Sequence, residues 1–136
     1  MMDAEAMTGL NLIGIPLVAK ICLVCLFPIS ALDKMVHWHD AIKQASSGPL
    51  PSPAVLVVVG VFVEAVTPVM IVLGWFDRAA AFVLAGFCVV TALFYHRWWK
   101  YPDFWSENGK GRAHLWDFLK NLGLVGGLLL VVIAGS

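Results

Sequence analysis

Four long apolar stretches, separated by shorter polar connections, dominate the pattern of hydrophobic and polar positions along this chain. Each can cross about 30 Å of hydrocarbon, which takes about 20 helical residues. Because lipid offers no hydrogen-bond partners to open backbone groups, each stretch is predicted to be a helix. The predicted spans are residues 13–36, 53–75, 77–95 and 115–134. The pattern therefore predicts an all-α, integral membrane four-transmembrane-helix bundle that forms one domain over residues 1–136.

Composition supports the membrane class. The chain has 136 residues, of which 60% are hydrophobic and 13% charged, with a mean hydropathy of +0.85. A soluble domain is nearer half apolar and a quarter charged. The first residues carry Asp3 and Glu5 without the positive charge of a signal peptide, so we expect the first span to be retained. Three cysteines inside apolar spans make no disulfide framework, and we expect them to pack in the core.

The polar side chains are sorted onto one membrane face. All four histidines and five of the six tryptophans fall in about residues 33–52 and 95–117, the first and third connections between spans. These connections lie on the same side of a four-span protein, and we call that side the polar face. Seven of the nine Lys and Arg residues belong to it. Since cytoplasmic loops carry the excess of Lys and Arg, we expect the polar face in the cytoplasm and both termini in the periplasm.

The two connections on the polar face differ in character. The first is rich in Ser, Gly and Pro over residues 46–53, which predicts irregular turns. The other contains an aromatic–basic segment, residues 97–105, whose mixture of rings and cations is typical of the membrane interface. It either anchors the bundle at the headgroup level or docks another subunit. The candidate residues are Arg97, Trp98, Trp99, Lys100 and Trp105.

Glu64 lies near the centre of the second predicted span. A charged side chain at mid-bilayer costs roughly 2.5–3.5 kcal/mol on insertion scales, so this carboxyl should face the bundle interior and be either paired or protonated. It could serve as a proton-relay or ligand-site acid. Alternatively, it could be a neutral structural group bonded to a neighbour such as Thr67, Ser30 or Asn121.

The four histidines could in principle form a metal or haem site on the polar face. The candidates are His37, His39, His96 and His114. The first two are separated by one residue, and in a helix their rings would point about 200° apart. We expect all four at or beyond helix ends, where they suit haem ligation poorly. No metal is therefore assigned.

Gly123 and Gly127 form a G-x-x-x-G pattern in the fourth span, with Gly126 beside them. Small residues at this spacing allow two helices to approach closely. The pattern predicts a packing surface and leaves open whether the partner helix belongs to this chain or to another protein.

These residues together resemble the DoxX family of small four-helix bacterial membrane proteins, over about residues 17–132. The matching segments are residues 27–34, Gly60-x-x-x-Glu64 with Leu73-Gly74, Arg78-Ala79-Ala80, and residues 118–122 with 126–129. Ala31 stands where the family usually has glycine, and Thr67-Pro68 where it often has small residues.

The resemblance implies a location in the bacterial inner membrane and an association with redox complexes, since the family is named after a subunit of a thiosulfate:quinone oxidoreductase. Four matching positions, with Asp33 beside them, are expected to form an intramembrane polar network. This network comprises Asp33, Lys34, Glu64, Lys120 and Asn121. The family supplies no catalytic motif to transfer.

These observations favour an accessory or anchoring subunit of a larger redox-linked complex, in contact with lipid and other subunits but not with nucleic acid. No connection is long enough for a separate active-site domain, so the chain is not expected to be an enzyme on its own. One alternative is a quinone-linked oxidoreductase subunit in which Glu64 and Lys34 handle protons. Another is a small transporter or channel, and a haem protein is the least favoured.

Overall fold

The computed structural model describes residues 3–9 and 14–135, and in these ranges the regular structure is entirely helical. Ile13, the predicted start of the first span, lies outside the described residues. The seven α-helices are α1 (Ala4–Gly9), α2 (Ile15–Val24), α3 (Leu26–Val36), α4 (Trp38–Ser46), α5 (Pro53–Leu73), α6 (Asp77–Tyr95) and α7 (Lys110–Ala134), with a 3₁₀ turn over Trp98–Lys100.

The predicted fold class is confirmed, because four helical stretches of the described chain are long and apolar enough to cross a membrane. They are Ile15–Val36, Pro53–Leu73, Asp77–Lys100 and Lys110–Ala134. Large apolar side chains point outward from them, among them Phe62, Leu130 and Ile133. In a membrane protein these side chains face lipid, so their exposure carries no penalty.

The first span is interrupted at Cys25, where α2 ends and α3 begins. Pro28 explains the position of the break. A proline has no N–H and therefore cannot donate to the carbonyl of Val24, four residues earlier. The helix continues to Val36, and a second interruption at His37, with φ −108° and ψ 54°, separates α3 from α4.

The first connection is more regular than the sequence suggests, because α4 occupies half of it. Ala41 and Ala45 of α4 are buried with Val57 of α5. Lys34 of α3 donates a hydrogen bond to Glu64, which also belongs to α5. These contacts show that α3 and α4 follow α5 in antiparallel fashion. Residues 38–46 of the connection are therefore helical, and the predicted irregular turns are limited to residues 47–52. Lys34 lies level with the middle of α5.

Helices α5 and α6 form a tight hairpin around Gly74. This glycine has φ 71°, a left-handed conformation that favours glycine at a helix C-terminus. The Gly74 amide donates to Ile71 O, and the Trp75 amide to Met70 O. The hairpin supplies much of the buried core, to which α2, α3 and α7 contribute further side chains. Its buried members are Val24, Phe27, Ile71, Ala80, Ala81, Leu84, Ala85, Cys88 and Leu128.

Helix α7 begins at Lys110, five residues before the predicted span. The Asp103 carboxylate explains this early start, because it accepts hydrogen bonds from the amides of Lys110 at 3.0 Å and Gly111 at 3.1 Å. These amides have no partner inside the helix. A Cβ at Gly111 would lie 2.5 Å from Tyr101 Cβ, so this close approach requires glycine.

The end of the bundle away from the polar face is closed by ionic and steric contacts. The buried Asp77 carboxylate lies 3.5 Å from Lys20 Nζ. Arg78 Nε donates to Gly135 O at 2.7 Å. A Cβ at Gly127 would lie 2.8 Å from Leu23 Cδ1, which shows how closely α7 approaches α2. These contacts tie α2, α6 and α7 together.

This arrangement corrects the expectation that all three cysteines pack in the core, and it shows which glycine of α7 is in close contact within the chain. Cys22 and Cys25 are exposed on the surface of the first span, and of the three cysteines only Cys88 is buried in the core. A Cβ at Gly123 or Gly126 would meet no atom within 4 Å. Of the three glycines, Gly127 alone therefore provides a close approach within the chain.

Candidate functional site

A groove of about 730 Å³ penetrates the bundle from the polar face. Helices α3 and α4 form one wall, α7 forms the opposite wall, and α5 and α6 form the back. Its lining is mixed, with charged and polar groups alongside Phe27, Phe87 and Leu124. Ligand sites typically measure about 300–1,000 Å³ and combine apolar walls with a few polar groups. The groove fits this description.

The Lys34 and Glu64 side chains form an ion pair inside this groove. Lys34 Nζ donates to both carboxylate oxygens, at 2.8 Å to Oε1 and 2.7 Å to Oε2, and also to Ser30 Oγ at 3.0 Å. It lies 5.9 Å from the centre of the Phe87 ring, a cation–π arrangement. The Glu64 side chain is 5% exposed and that of Lys34 is 23% exposed. The ammonium group therefore borders the groove, and the carboxylate lies behind it.

The backbone around Glu64 is also unusual. Pro68 lies inside α5, which nevertheless runs unbroken to Leu73. Without an N–H, Pro68 cannot donate to the carbonyl of Glu64. The Thr67 hydroxyl donates to Val63 O at 2.7 Å and not to the Glu64 carboxylate. The neutral alternative for Glu64, a carboxyl bonded to Thr67, is thus not the arrangement found.

A polar stripe follows α3 and α4 along the groove. Asp33, His37, Asp40 and Gln44 recur at intervals of four, three and four residues, which places them on one helical face, and all four line the groove. Asp33 Oδ1 lies 3.1 Å from His37 Nδ1, and both side chains are largely exposed. Asp33 therefore lies on the same wall as Lys34 and pairs with His37.

The α7 wall carries Asp117, Lys120 and Asn121. Asn121 Nδ2 donates to the Asp117 carbonyl at 2.9 Å, within its own helix. Lys120 is exposed. Lys120 and Asn121 thus share the groove with Lys34 and Glu64, although no hydrogen bond is described between the two walls. The structure brings the five predicted network residues to one groove. Lys34 and Glu64 bond to each other, whereas Asp33 bonds to His37 and Asn121 to the Asp117 carbonyl.

Two histidines face each other near the mouth of the groove. His96 Nδ1 and His114 Nδ1 are 3.2 Å apart, and Asp117 Oδ2 lies 3.8 Å from His96 Nδ1. The ring centroids are 5.4 Å apart, so the rings point nearly end to end, as in a hydrogen bond between one protonated and one free nitrogen. Tyr101 stacks on His114 at 5.0 Å. The expectation that every histidine lies at or beyond a helix end is wrong for His114, which belongs to α7.

The four histidines do not converge on one point. His37 bonds to Asp33, and His39 is exposed on α4. Among residues 3–9 and 14–135, no group of three or more His, Cys, Asp or Glu side chains could hold a metal ion.

The aromatic–basic segment divides into an inward and an outward part. Trp98 packs against Trp99, Phe104 and Phe118, with ring centroids 5.4–6.5 Å apart. Its Nε1 atom is buried and has no hydrogen-bond partner among residues 3–9 and 14–135. Trp105 is 73% exposed. The surface available to lipid or to another protein thus includes Trp105, while Trp98 stabilises the segment itself.

Sequence reasoning missed two residues of this site. Phe87 looks like any apolar residue of a membrane helix, and its place beside Lys34 depends on the packing of α6. Asp117 lies two turns into α7, where the sequence places the end of a connection. One usable signal was present: Ser30 and Lys34 are four residues apart, a spacing at which helical side chains meet.

Comparison with known proteins gives two findings. The family model described as DoxX matches residues 15–97. The inner membrane protein YphA of Escherichia coli (strain K12) is 28% identical over 119 residues, which cover 88% of this chain and 81% of the relative. No solved structure shows a significant match to the chain.

Proposed function

This chain belongs to the DoxX family, and from that premise we propose that it is a quinone-linked subunit of a larger redox complex in the bacterial inner membrane. Its site is the groove that contains Lys34 and Glu64. The relative YphA is an inner membrane protein, which supports this location. The single observation that carries the proposal is the buried ion pair at the inner part of a groove large enough for a ring-sized ligand.

The chemistry of a quinone suits these two side chains. Reduction of a quinone adds two electrons and two protons, one proton on each carbonyl oxygen. The three N–H donors of Lys34 point to the two Glu64 oxygens and to Ser30 Oγ, so a quinone oxygen takes the place of one of these acceptors when it binds. The ammonium group favours the negative charge that forms as electrons arrive. The electrons come from a redox centre of the partner subunit. In quinol oxidation the two electrons return to that redox centre, one proton passes to the Glu64 carboxylate, and the other leaves along the groove to the aqueous side.

The polar stripe gives protons a route to this pair. Asp33 lies beside Lys34, and His37, Asp40 and Gln44 line the groove between Lys34 and the polar face. All four side chains can hold water by hydrogen bonds, and the carboxyl and imidazole groups among them can exchange protons with it. The groove thus connects a mid-membrane carboxylate with the aqueous side, as coupled quinone chemistry requires.

Binding of a quinone by the purified protein tests this function. A soluble, tail-less quinone should stabilise the wild-type protein against heat, with a saturable dependence on concentration. The variant in which Lys34 and Glu64 are both methionine removes the pair without leaving one charge alone, and we expect it to lose binding at least tenfold. Lys43→Met, which removes an exposed lysine of α4, is the control. Equal binding by the wild type and the double variant would refute the proposed site.

A second function, an anchoring subunit without its own ligand, is favoured by the exposed ring of Trp105 and the adjacent basic residues. It predicts that other subunits co-purify with the chain in mild detergent while no quinone binds. Truncation of the exposed ring by Trp105→Ala should then release the partner, whereas the double variant of Lys34 and Glu64 should not.

A further inference from the structure

The groove is open sideways as well as toward the polar face. Helices α3 and α7 line it from opposite sides, yet no substantial packing interface joins them; α3 packs instead on α5 and α4. Further from the polar face, α2 does pack on α7, where Leu23 meets the Cβ position of Gly127. The gap between the first and last spans is therefore closed at one end of the bundle and open along the groove.

The break at Cys25 separates the packed part of the first span from the open part. Helix α2, before the break, contacts α7, whereas α3, after it, does not form an interface with α7. Pro28 leaves the Val24 carbonyl without a helical donor at this point, while Cys25 itself keeps helical backbone angles. The change from the packed to the open part of the first span therefore coincides with a weakened turn of the helix.

On the wall formed by α3 and α4, charged and amide side chains run from Lys34 to Gln44 at the polar face, although Leu56 and Val57 of α5 line that part as well. Beyond Lys34 this wall is mainly apolar: Leu26 and Phe27 line it together with Ser30, and α7 adds Leu124. Leu26 is 45% exposed, so it borders both the groove and the surrounding lipid. The order along the groove is that of an amphiphile: a polar head, then an apolar tail.

We propose that the ligand is a quinone with an isoprenoid tail, which enters from the bilayer between α3 and α7. Its ring lies beside Lys34, and its tail lies in the gap along Leu26 and Leu124. This inference rests on the proposed function and adds the tail, the route and the side chains that recognise it. A water-soluble ligand would enter from the polar face and would have no use for the apolar end of the groove.

The tail can be tested separately from the ring. Two quinones with the same ring, one without a tail and one with two isoprene units, are titrated against the protein in lipid nanodiscs, and affinity is obtained from thermal stabilisation. Leu124→Trp and Leu26→Trp fill the gap from its two sides. Leu130→Trp is the matched control, because Leu130 is 67% exposed on α7 and is not a groove residue.

For each quinone, the affinity of a variant is divided by that of the wild type. The partition of the tail into lipid is the same for both proteins, so it cancels in this ratio. We expect Leu124→Trp and Leu26→Trp to weaken the tailed quinone about tenfold or more, since several buried CH₂ groups lose their contacts. Binding of the tail-less quinone should change less than twofold in either variant. Leu130→Trp should change neither ligand.

Two results would overturn the inference. Equal weakening of both quinones by the Leu26 and Leu124 variants would mean that the substitutions disturb the ring site and that the tail lies elsewhere. Unchanged binding of both quinones would show that the gap is not used. If the wild type binds neither quinone, the proposed function itself is refuted, and this result is distinct from the other two because it needs no variant.

Discussion

At the scale of single residues, the proposed function rests on the Lys34–Glu64 ion pair. Each charge alone would be costly inside the membrane, and each is retained because the other compensates it. Lys34 donates to both carboxylate oxygens within 2.8 Å, a geometry that recovers much of the desolvation cost. The same ammonium group borders the groove, so the pair can also meet a ligand.

This pairing predicts the outcome of a double-mutant cycle. Lys34→Met and Glu64→Met should each lower the free energy of unfolding by about 2 kcal/mol, less than a fully buried pair because 23% of the Lys34 side chain is exposed. The double variant should be close to the wild type, because no charge is left without a partner. Equilibrium unfolding in detergent measures these differences.

The control for this cycle is Lys43→Met, which removes an exposed positive charge from the neighbouring helix α4. It should change the stability by less than about 0.5 kcal/mol. Simple addition of the two single effects in the double variant would contradict the pairing, because independent residues add.

The sequence and the family resemblance grouped Glu64 and Lys34 in one polar network, but they did not establish the direct ion pair. The hydropathy pattern places Lys34 at the end of the first span, whereas packing places it level with the middle of α5. Hydropathy depends only on the composition of a short stretch of sequence. The contacts of Ala41 and Ala45 with α5, which hold the helical continuation of the first span against α5, are tertiary and therefore leave no such signal. For Lys120 and Asn121 the sequence predicted too much. They share the groove with Glu64, as expected of one polar network, but no direct bond joins them to Glu64 in the described part of the chain.

At the scale of helices, the four long apolar elements follow from the sequence, and so do most of their ends: α6 covers the predicted residues Asp77–Tyr95, and α7 ends at Ala134. The early start of α7 depends on Asp103, which acts across seven residues and leaves no local spacing signal. The interruption at Cys25 could have been predicted from Pro28, since a proline disrupts the helical bond to the residue four positions earlier.

The three glycines of α7 provide a test at this scale. Gly127→Val should push α2 away from α7, because even a Cβ would lie 2.8 Å from Leu23 Cδ1. We expect a loss of about 1–3 kcal/mol, typical of overpacking. Gly123→Val and Gly126→Val place the same side chain where a Cβ meets nothing within 4 Å, so they should not destabilise the monomer. Thermal unfolding in detergent compares the three variants.

A stable Gly127→Val variant would contradict the close approach of α2 and α7. Loss of stability in the Gly123 variant would instead show that the G-x-x-x-G pattern packs within the monomer. If only the two outward glycine variants reduce co-purification of another chain, the outward face is a contact between proteins.

At the scale of the whole molecule, the bundle has an open end and a closed end. The polar face holds the mouth of the groove and the two facing histidines, His96 and His114. The opposite end is held by the Lys20–Asp77 ion pair and the Arg78–Gly135 hydrogen bond. The charge bias predicts that the open end faces the cytoplasm.

Cysteine labelling in intact cells tests this orientation. In a variant whose three native cysteines are alanine, Ser47→Cys lies on the polar face and Trp75→Cys on the hairpin at the opposite end. A maleimide that does not cross the membrane should label the cysteine at position 75 in intact cells and the one at position 47 only after lysis. The reverse pattern would place the groove mouth in the periplasm.

The pairing of Lys34 with Glu64 also bears on how the chain enters the membrane. Synthesis proceeds from the N-terminus, so α3 carries its lysine into the bilayer before α5 brings the glutamate, 30 residues later. Until then each charge bears an insertion cost of roughly 2.5–3.5 kcal/mol by itself. Entry of the two spans together as a hairpin avoids this cost, because Lys34 and Glu64 then reach the lipid at the same time and can pair at once. The Lys34–Glu64 pair is thus expected to couple the insertion of the first span to that of the second.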